Sequence, residues 1–241
     1  MTIGIDRFIS LKWANYSLDV FASDSNGQDR YALLQSWLTT EIKGIETARK
    51  TSNQLKRLWF DVDMFQPLRT EVAKSAFIDY PVYRPILHYG MAINVFPLFR
   101  DVSVVIGTLS NLQGFCSRQQ IHQRILEKYS NPISVPRAVD RVLQSLVDWG
   151  LIHTQKGVVS LIPLEVTDPE MVAWLIMAIT IAQPGQKILL SDLSSLPELL
   201  GVTITNVRDV IRTSEAMHLD RDVSYLEVVA LEQEKIPQSY N

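Results

Sequence analysis

The sequence predicts a mainly α-helical protein with a few short β-hairpins: an N-terminal helical segment, then two smaller units of helices plus a hairpin. Three observations predict it. Apolar residues recur at three- and four-residue spacing through most of the chain. Short β-like runs beside turn signals come late, with none convincing before residue 150. After residue 97 helix starts and stops follow one order twice. The 241 residues suit two or three small domains, with divisions at 1–96, 97–165 and 166–241.

In the first segment Ile9, Trp13, Tyr16 and Val20 fall at helical spacing and Gly27 stops that run. Tyr31, Leu34, Trp37 and Leu38 form a second stripe. Gly44, within Lys43-Gly44-Ile45, suits a turn at a helix end. A third helix runs from Glu46, whose charge suits a helix N-terminus, with Ala48, Thr51, Leu55, Leu58 and Trp59 inward. Pro67 opens a fourth helix to about Phe77, Pro81 and Pro85 bracket a turn, and an apolar helix covers about Ile86 to Phe96.

The middle segment is the clearest. Pro97 opens a helix with Leu98, Val102, Val105, Ile106 and Leu109 inward, ending near Gly114. Ser117 and Gln120 form a capping box for a helix burying Ile121, Ile125 and Leu126. After the Asn131-Pro132 turn, Ser134 is the expected N-cap of a third helix with Pro136 in its first turn. That helix buries Val139, Val142, Leu143 and Leu146 and stops at Gly150. Two β-like runs, 151–153 and 158–162, flank a turn containing Gly157. In the last segment Met171 to Ile181 is an apolar helix, too short at twelve residues with Ala182 to span a bilayer needing about 20. A second helix from Leu190 carries Leu193, Leu196, Leu199 and Leu200 and ends at Gly201. Thr203 or Thr205 caps a third with Val207, Val210 and Ile211, before a strand–turn–strand over 217–229.

Helix, helix, turn, helix, hairpin over residues 97–163, carried by RAVDRVLQSLVDWGLIHTQKGVVSLI, resembles the winged helix-turn-helix superfamily. Leu151-Ile152-His153 and Met217-His218-Leu219 lie 66 residues apart in corresponding places, which fits a second winged-helix-like unit. The segment A-R-K-T-x-N-x-L-x-R-L-W from Ala48, with F-R-D-V from Phe99, is similar to BREX-type phage-defence accessory proteins. That resemblance implies a helix-turn-helix DNA-binding component rather than a catalyst, with no cofactor.

Charge divides along the chain. Residues 1–96 hold 11 Lys/Arg against 10 Asp/Glu, residues 97–163 hold 7 against 4, and residues 164–241 hold 5 against 12. A basic middle suits double-stranded DNA. The acidic end suits a protein partner or a homodimer. On the third helix of the middle unit Arg137, Arg141 and Gln144 share one face, able to reach base edges in a major groove. Ser134, Arg118, Arg124, Lys128 and the hairpin's Lys156 are candidate phosphate contacts. A second basic stretch comprises Lys43, Arg49, Lys50, Asn53, Lys56 and Arg57, and resembles a helix-turn-helix with the preceding helix.

Little points to catalysis or metal. His88, His122, His153 and His218 are scattered and lack metal-ligand spacing, so they read as surface or hydrogen-bonded side chains. Cys116, the one cysteine, reads as a small, partly buried residue rather than a low-pKa thiol. Asp61-Val62-Asp63 reads as a helix-ending turn rather than a metal pair. No nucleophile elbow, Walker loop or dinucleotide motif occurs. The expectation is a non-catalytic DNA-binding protein, a regulator of transcription or an accessory of a DNA-processing or phage-defence system. The alternative is a tandem winged-helix scaffold that grips protein, as the kite subunits of chromosome-condensing complexes do. One cysteine and an N-terminus without a signal peptide's apolar core suggest the cytoplasm, with no membrane partner.

Overall fold

The computed structural model describes residues 7–23, 29–61, 66–74, 80–129, 131, 133–183, 185 and 187–232. It is mainly helical with small sheets. The N-terminal segment holds α1 (Leu11–Ala22), α2 (Arg30–Glu41), α3 (Ile45–Trp59), α4 (Gln66–Lys74) and α5 (Arg84–Val95). Ser10 caps α1 through the Trp13 N–H, and Asp29 caps α2 through Tyr31 and Ala32. α1 stops at Ala22, before the expected Gly27, which lies outside the described residues, as do Phe77, Pro132 and Asp63. Its buried side is Ala14, Ser17, Leu18 and Val20, while Tyr16 stacks on Trp37 at 3.9 Å between ring centres.

The central segment holds α6 (Pro97–Gln113), β1 (Cys116–Ser117), α7 (Arg118–Lys128), α8 (Ser134–Asp148), β2 (Ile152–Gln155) and β3 (Val158–Leu161). Pro97 starts α6 at a 115° bend from α5. The capping box at Ser117 and Gln120 is formed as expected. Gly150, at φ +71°, ends α8: its N–H bonds the Val147 carbonyl and the Leu151 N–H that of Leu146, the two bonds of a Schellman stop. β1 is a strand before residue 150 that the sequence did not disclose. Two residues are too few to show alternation, and β1 exists only because β3 pairs with it, Cys116 opposite Val159. The sheet order is β1-β3-β2, antiparallel throughout.

The last segment holds β4 (Leu164–Val166), α9 (Pro169–Ala182), β5 (Lys187–Leu189), β6 (Val202–Ile204), α10 (Val207–Thr213), β7 (Met217–Arg221) and β8 (Glu227–Leu231). α9 is buried along nearly its whole length, as its unbroken apolar run demands. The expected helix from Leu190 is replaced by two 3-10 turns, Leu193–Ser195 and Pro197–Leu199. Pro197 forces Leu196 into an extended conformation, which breaks the run. Neither Thr203 nor Thr205 caps α10. Thr203 pairs with Glu165 in the parallel β4–β6 ladder, and Asn206, at φ +53°, precedes the helix. The sheet order β5-β8-β7 repeats that of β1-β3-β2.

One apolar core runs through all three segments. Gly90 lets Trp174 of α9 lie against α5, where a Cβ would stand 2.6 Å from the indole. The Tyr89 hydroxyl donates to the Glu198 carbonyl at 2.7 Å, and Asn94 Nδ2 to that of Ala178 at 2.9 Å. A polar hub sits at the centre. Trp59 Nε1 donates to His88 Nδ1 at 3.2 Å, and His88 Nε2 bonds Asn15 Oδ1 at 2.9 Å. An indole only donates, so Nδ1 carries the lone pair and Nε2 the proton. The Trp149 ring lies 5.8 Å from His88, which brings the end of α8 into the hub.

Candidate nucleic-acid interface

α8 positions the central candidates. Val135, Ala138, Val139, Val142, Leu143, Ser145 and Leu146 are buried, so the helix presents its other side to solvent. Arg137, Arg141 and Gln144 are exposed on that side, as their spacing requires. Arg137 has no hydrogen-bond or ion-pair partner among the described residues. Arg141 Nη1 donates to Gln144 Oε1 at 2.8 Å, so these two are pre-aligned. Ser134 is the first helical residue rather than the N-cap. Asn131 Oδ1 accepts the N–H groups of Ile133 and Ser134 at 3.1 and 3.0 Å, the capping work expected of Ser134.

The same face also carries acid, which the sequence reading passed over. Asp140 Oδ1 accepts from Arg118 Nη2 at 2.7 Å and from His122 Nε2 at 2.9 Å. Burial opposes its charge, but the bonds and positive fields of Arg118 and His122 outweigh it and hold the carboxyl below its ordinary value. The signal lay in the spacing: Asp140 falls three residues after Arg137, and Arg118 and His122 are four apart on α7.

Arg118 also joins α7 to the hairpin, since its backbone N–H donates to the Gly157 carbonyl at 2.9 Å. Lys156 and Gly157 both have positive φ, +49° and +81°, the pair that a two-residue type I′ turn requires. Exposed Lys156 therefore stands beside Arg118 at the tip of the β2–β3 hairpin. Arg124 and Lys128 lie toward the other end of α7, paired with Glu127 at 3.4 Å and Asp101 at 2.8 Å.

A groove of about 360 Å³ runs between α8 and β2, with Phe8, Leu143 and Val147 as its apolar lining and Arg118, Asp140, Gln144, Asp148 and Thr154 as its polar lining. Phe8 is there because the chain entering α1 is tied to α8. Ile9 N–H donates to Ser145 Oγ at 2.9 Å, Trp149 Nε1 to the Ile9 carbonyl at 3.0 Å, and Leu11 N–H to Asp148 Oδ2 at 2.5 Å. This strap covers one edge of α8 and leaves the Arg137, Arg141 and Gln144 face open.

The second basic stretch lies on α3, which packs against α1, α2 and α5. Glu46 binds Arg49 at 2.8 Å and Lys50 at 3.5 Å, and the Arg49 bond pulls its carboxyl down to about 2. Asn53 Oδ1 accepts from the Tyr31 hydroxyl at 2.7 Å. Lys56 stands 5.2 Å from the Tyr31 ring centre and 4.0 Å from Asp61, and Arg57 lies 4.9 Å from the centre of Phe96. Lys43, in the turn before α3, is exposed. The structure thus brings Arg118, Arg137, Arg141, Gln144 and Lys156 to one α7–α8–hairpin region and places the α3 set on a separate helix.

In the last segment Arg208 of α10 is clamped by Glu227 of β8 through both guanidinium nitrogens, one at 2.7 Å. Cys116 is fully buried, and burial pushes its thiol up to about 11. No cluster of three or more His, Cys, Asp or Glu able to hold a metal occurs among the described residues, and no single described helix is long and apolar enough to cross a membrane. Compared with protein-family models, curated proteins and solved structures, the chain has no match.

Proposed function

We propose that residues 97–165 form a winged-helix unit that binds double-stranded DNA without catalysing a reaction on it. The protein then serves as a regulator of transcription or as an accessory subunit of a DNA-processing or phage-defence system. The observation that carries this reading is the open face of α8, where Arg137, Arg141 and Gln144 stand exposed beside the Lys156 hairpin. The helix–strand–helix–helix–hairpin order, with β1 paired to β3, supports the winged-helix assignment. α8 enters a major groove, Arg137 and Arg141 address guanine edges, and Gln144 addresses adenine. Arg118, Arg124, Lys128, Lys156 and Ser134 meet phosphates. Surface ion pairs such as Arg118–Asp140 are worth little, so a phosphate oxygen can replace the carboxylate at small cost. The α3 set, Lys43, Arg49, Lys50, Asn53, Lys56 and Arg57, adds contacts to the same or a second duplex.

The test is duplex binding measured over a range of salt concentrations. The logarithm of affinity should fall linearly with log salt, with slope about −0.9 per phosphate neutralised. Arg137→Ala should weaken binding roughly 5- to 150-fold, from about 1–3 kcal/mol per base contact. A flat salt response, or an Arg137→Ala protein that binds like wild type, would overturn the proposal. The second reading, a protein-gripping scaffold, is favoured by the acidic composition of residues 164–241.

A further inference from the structure

We propose that His122 is a positioning residue of the duplex site: when Arg118 leaves Asp140 for a phosphate, His122 takes up a proton and holds the carboxylate in its place. The inference rests on the DNA reading above and adds a regulation to it. One carboxylate oxygen serves two donors. Asp140 Oδ1 accepts from Arg118 Nη2 at 2.7 Å and from His122 Nε2 at 2.9 Å. Arg118 and His122 stand about one turn apart on α7, so both reach the same point of α8. Their surroundings differ. The Arg118 side chain is 48% exposed, and its backbone N–H is anchored on the hairpin at Gly157. The His122 side chain is only 22% exposed and bridges α7 to α8. The arginine is therefore the donor free to turn outward, and the histidine is the one that stays.

Charge gives the exchange its sign. In the free protein the guanidinium balances the carboxylate, and a neutral imidazole suffices to donate through Nε2. A phosphate that draws Arg118 away leaves Asp140 without its cation and adds negative charge nearby. Both changes favour the imidazolium. The second proton goes onto Nδ1 and comes from water, which reaches the partly exposed ring. Among the described residues no other carboxylate bonds His122. α7 packs on α6, α8 and β1. α6 carries Arg100, which donates to the Ala182 carbonyl, and Asp101, which Lys128 and Tyr129 hold at the far end of α7. On α8 Asp148 accepts from Leu11, while Arg137 and Arg141 stand exposed on either side of Asp140. Those two arginines, and Lys156 of the hairpin, oppose a charge on His122 until phosphates neutralise them. β1 offers the buried Cys116, and on α7 itself Arg124 and Glu127 pair with each other. Binding thus takes up a proton, and affinity rises as pH falls through the range in which histidine titrates.

Titration calorimetry of the full chain with a short DNA duplex tests this at pH 8 and pH 6. Buffers of differing ionisation enthalpy count the protons taken up. Wild type should bind with net proton uptake and roughly 3- to 10-fold tighter at pH 6, the linkage of one group whose pKa differs by about half to one unit between free and bound states. His122→Gln keeps a donor for Asp140 but does not titrate, so it should lose both the uptake and the gain. Asp140→Asn removes the charge that is handed over, so it should bind more tightly than wild type at pH 8 and respond less to pH. His153→Gln removes the exposed histidine of β2 and should keep the wild-type response. Wild-type affinity equal at the two pH values, proton uptake that survives in His122→Gln or disappears in His153→Gln, or weaker binding by Asp140→Asn at pH 8 would each sink the histidine role while duplex binding stands. A chain that binds no duplex at either pH fails the DNA reading, and this inference with it.

Discussion

Lowering the pH from 7 to 5 should cost this protein about 2 kcal/mol of stability through His88 alone. The ring is fully buried between Trp59, Asn15 and Trp149, with Nδ1 accepting and Nε2 donating. Burial, and then the charge of Arg84, push its pKa down to about 3. An unfolded histidine titrates near pH 6.5. The folded pKa is the lower one, so the unfolded chain takes up the proton first. The stabilisation is complete above about pH 6.5 and is lost as pH falls toward 3, at about 1.4 kcal/mol per unit. Stopping at pH 5 keeps most carboxylates out of the measurement, because their ordinary values lie near 4. The assay is urea unfolding followed by tryptophan fluorescence at the two pH values, for wild type and His88→Gln. Glutamine can accept from Trp59 and donate to Asn15 but does not titrate, so its protein reports every other pH-dependent group. Wild type should lose about 2 kcal/mol more than the variant. Equal losses in the two proteins would refute the burial argument.

Gly107→Ala should destabilise by about 1–3 kcal/mol or more, measured by chemical denaturation. An exposed helix interior would show the opposite sign, but here the new Cβ would stand 2.1 Å from the Pro197 carbonyl oxygen, where the last segment packs on α6. Asn131→Ala should cost about 0.5–2 kcal/mol by removing the acceptor for Ile133 and Ser134 N–H, whereas Ser134→Ala should cost less than half of that in the same assay. Lys156→Gly should leave stability unchanged or raise it by up to about 1 kcal/mol, since its φ of +49° suits glycine, while weakening duplex binding through the lost charge. Trp149→Phe should lower the melting temperature through the lost bond to the Ile9 carbonyl, worth about 0.5–1.5 kcal/mol, and loosen the strap in hydrogen exchange at Ile9 and Leu11.

The sequence by itself determined what depends on near neighbours. The inward stripe of α8, the glycine stops at Gly114 and Gly150, the box of Ser117 with Gln120 and the hairpin turn at Gly157 each rest on residues within one turn of each other. The exposure of Arg137, Arg141 and Gln144 followed from the same periodicity. Tertiary structure decided whatever needs a distant partner. β1 has no strand signal of its own and exists through Val158 and Val159, about forty residues on. The leucines after Leu190 have helical spacing, yet Pro197 and packing against Gly107 leave only 3-10 turns. Asp140 tempers the α8 face because Arg118 and His122 of another helix reach it, and Phe8 borders the groove because Ser145 and Trp149 hold the strap more than a hundred residues away. The reason is physical. Hydrogen bonds and side-chain stripes within a turn are set by local geometry, whereas the neighbours of an ion pair or a strand edge are set by how the whole apolar core closes.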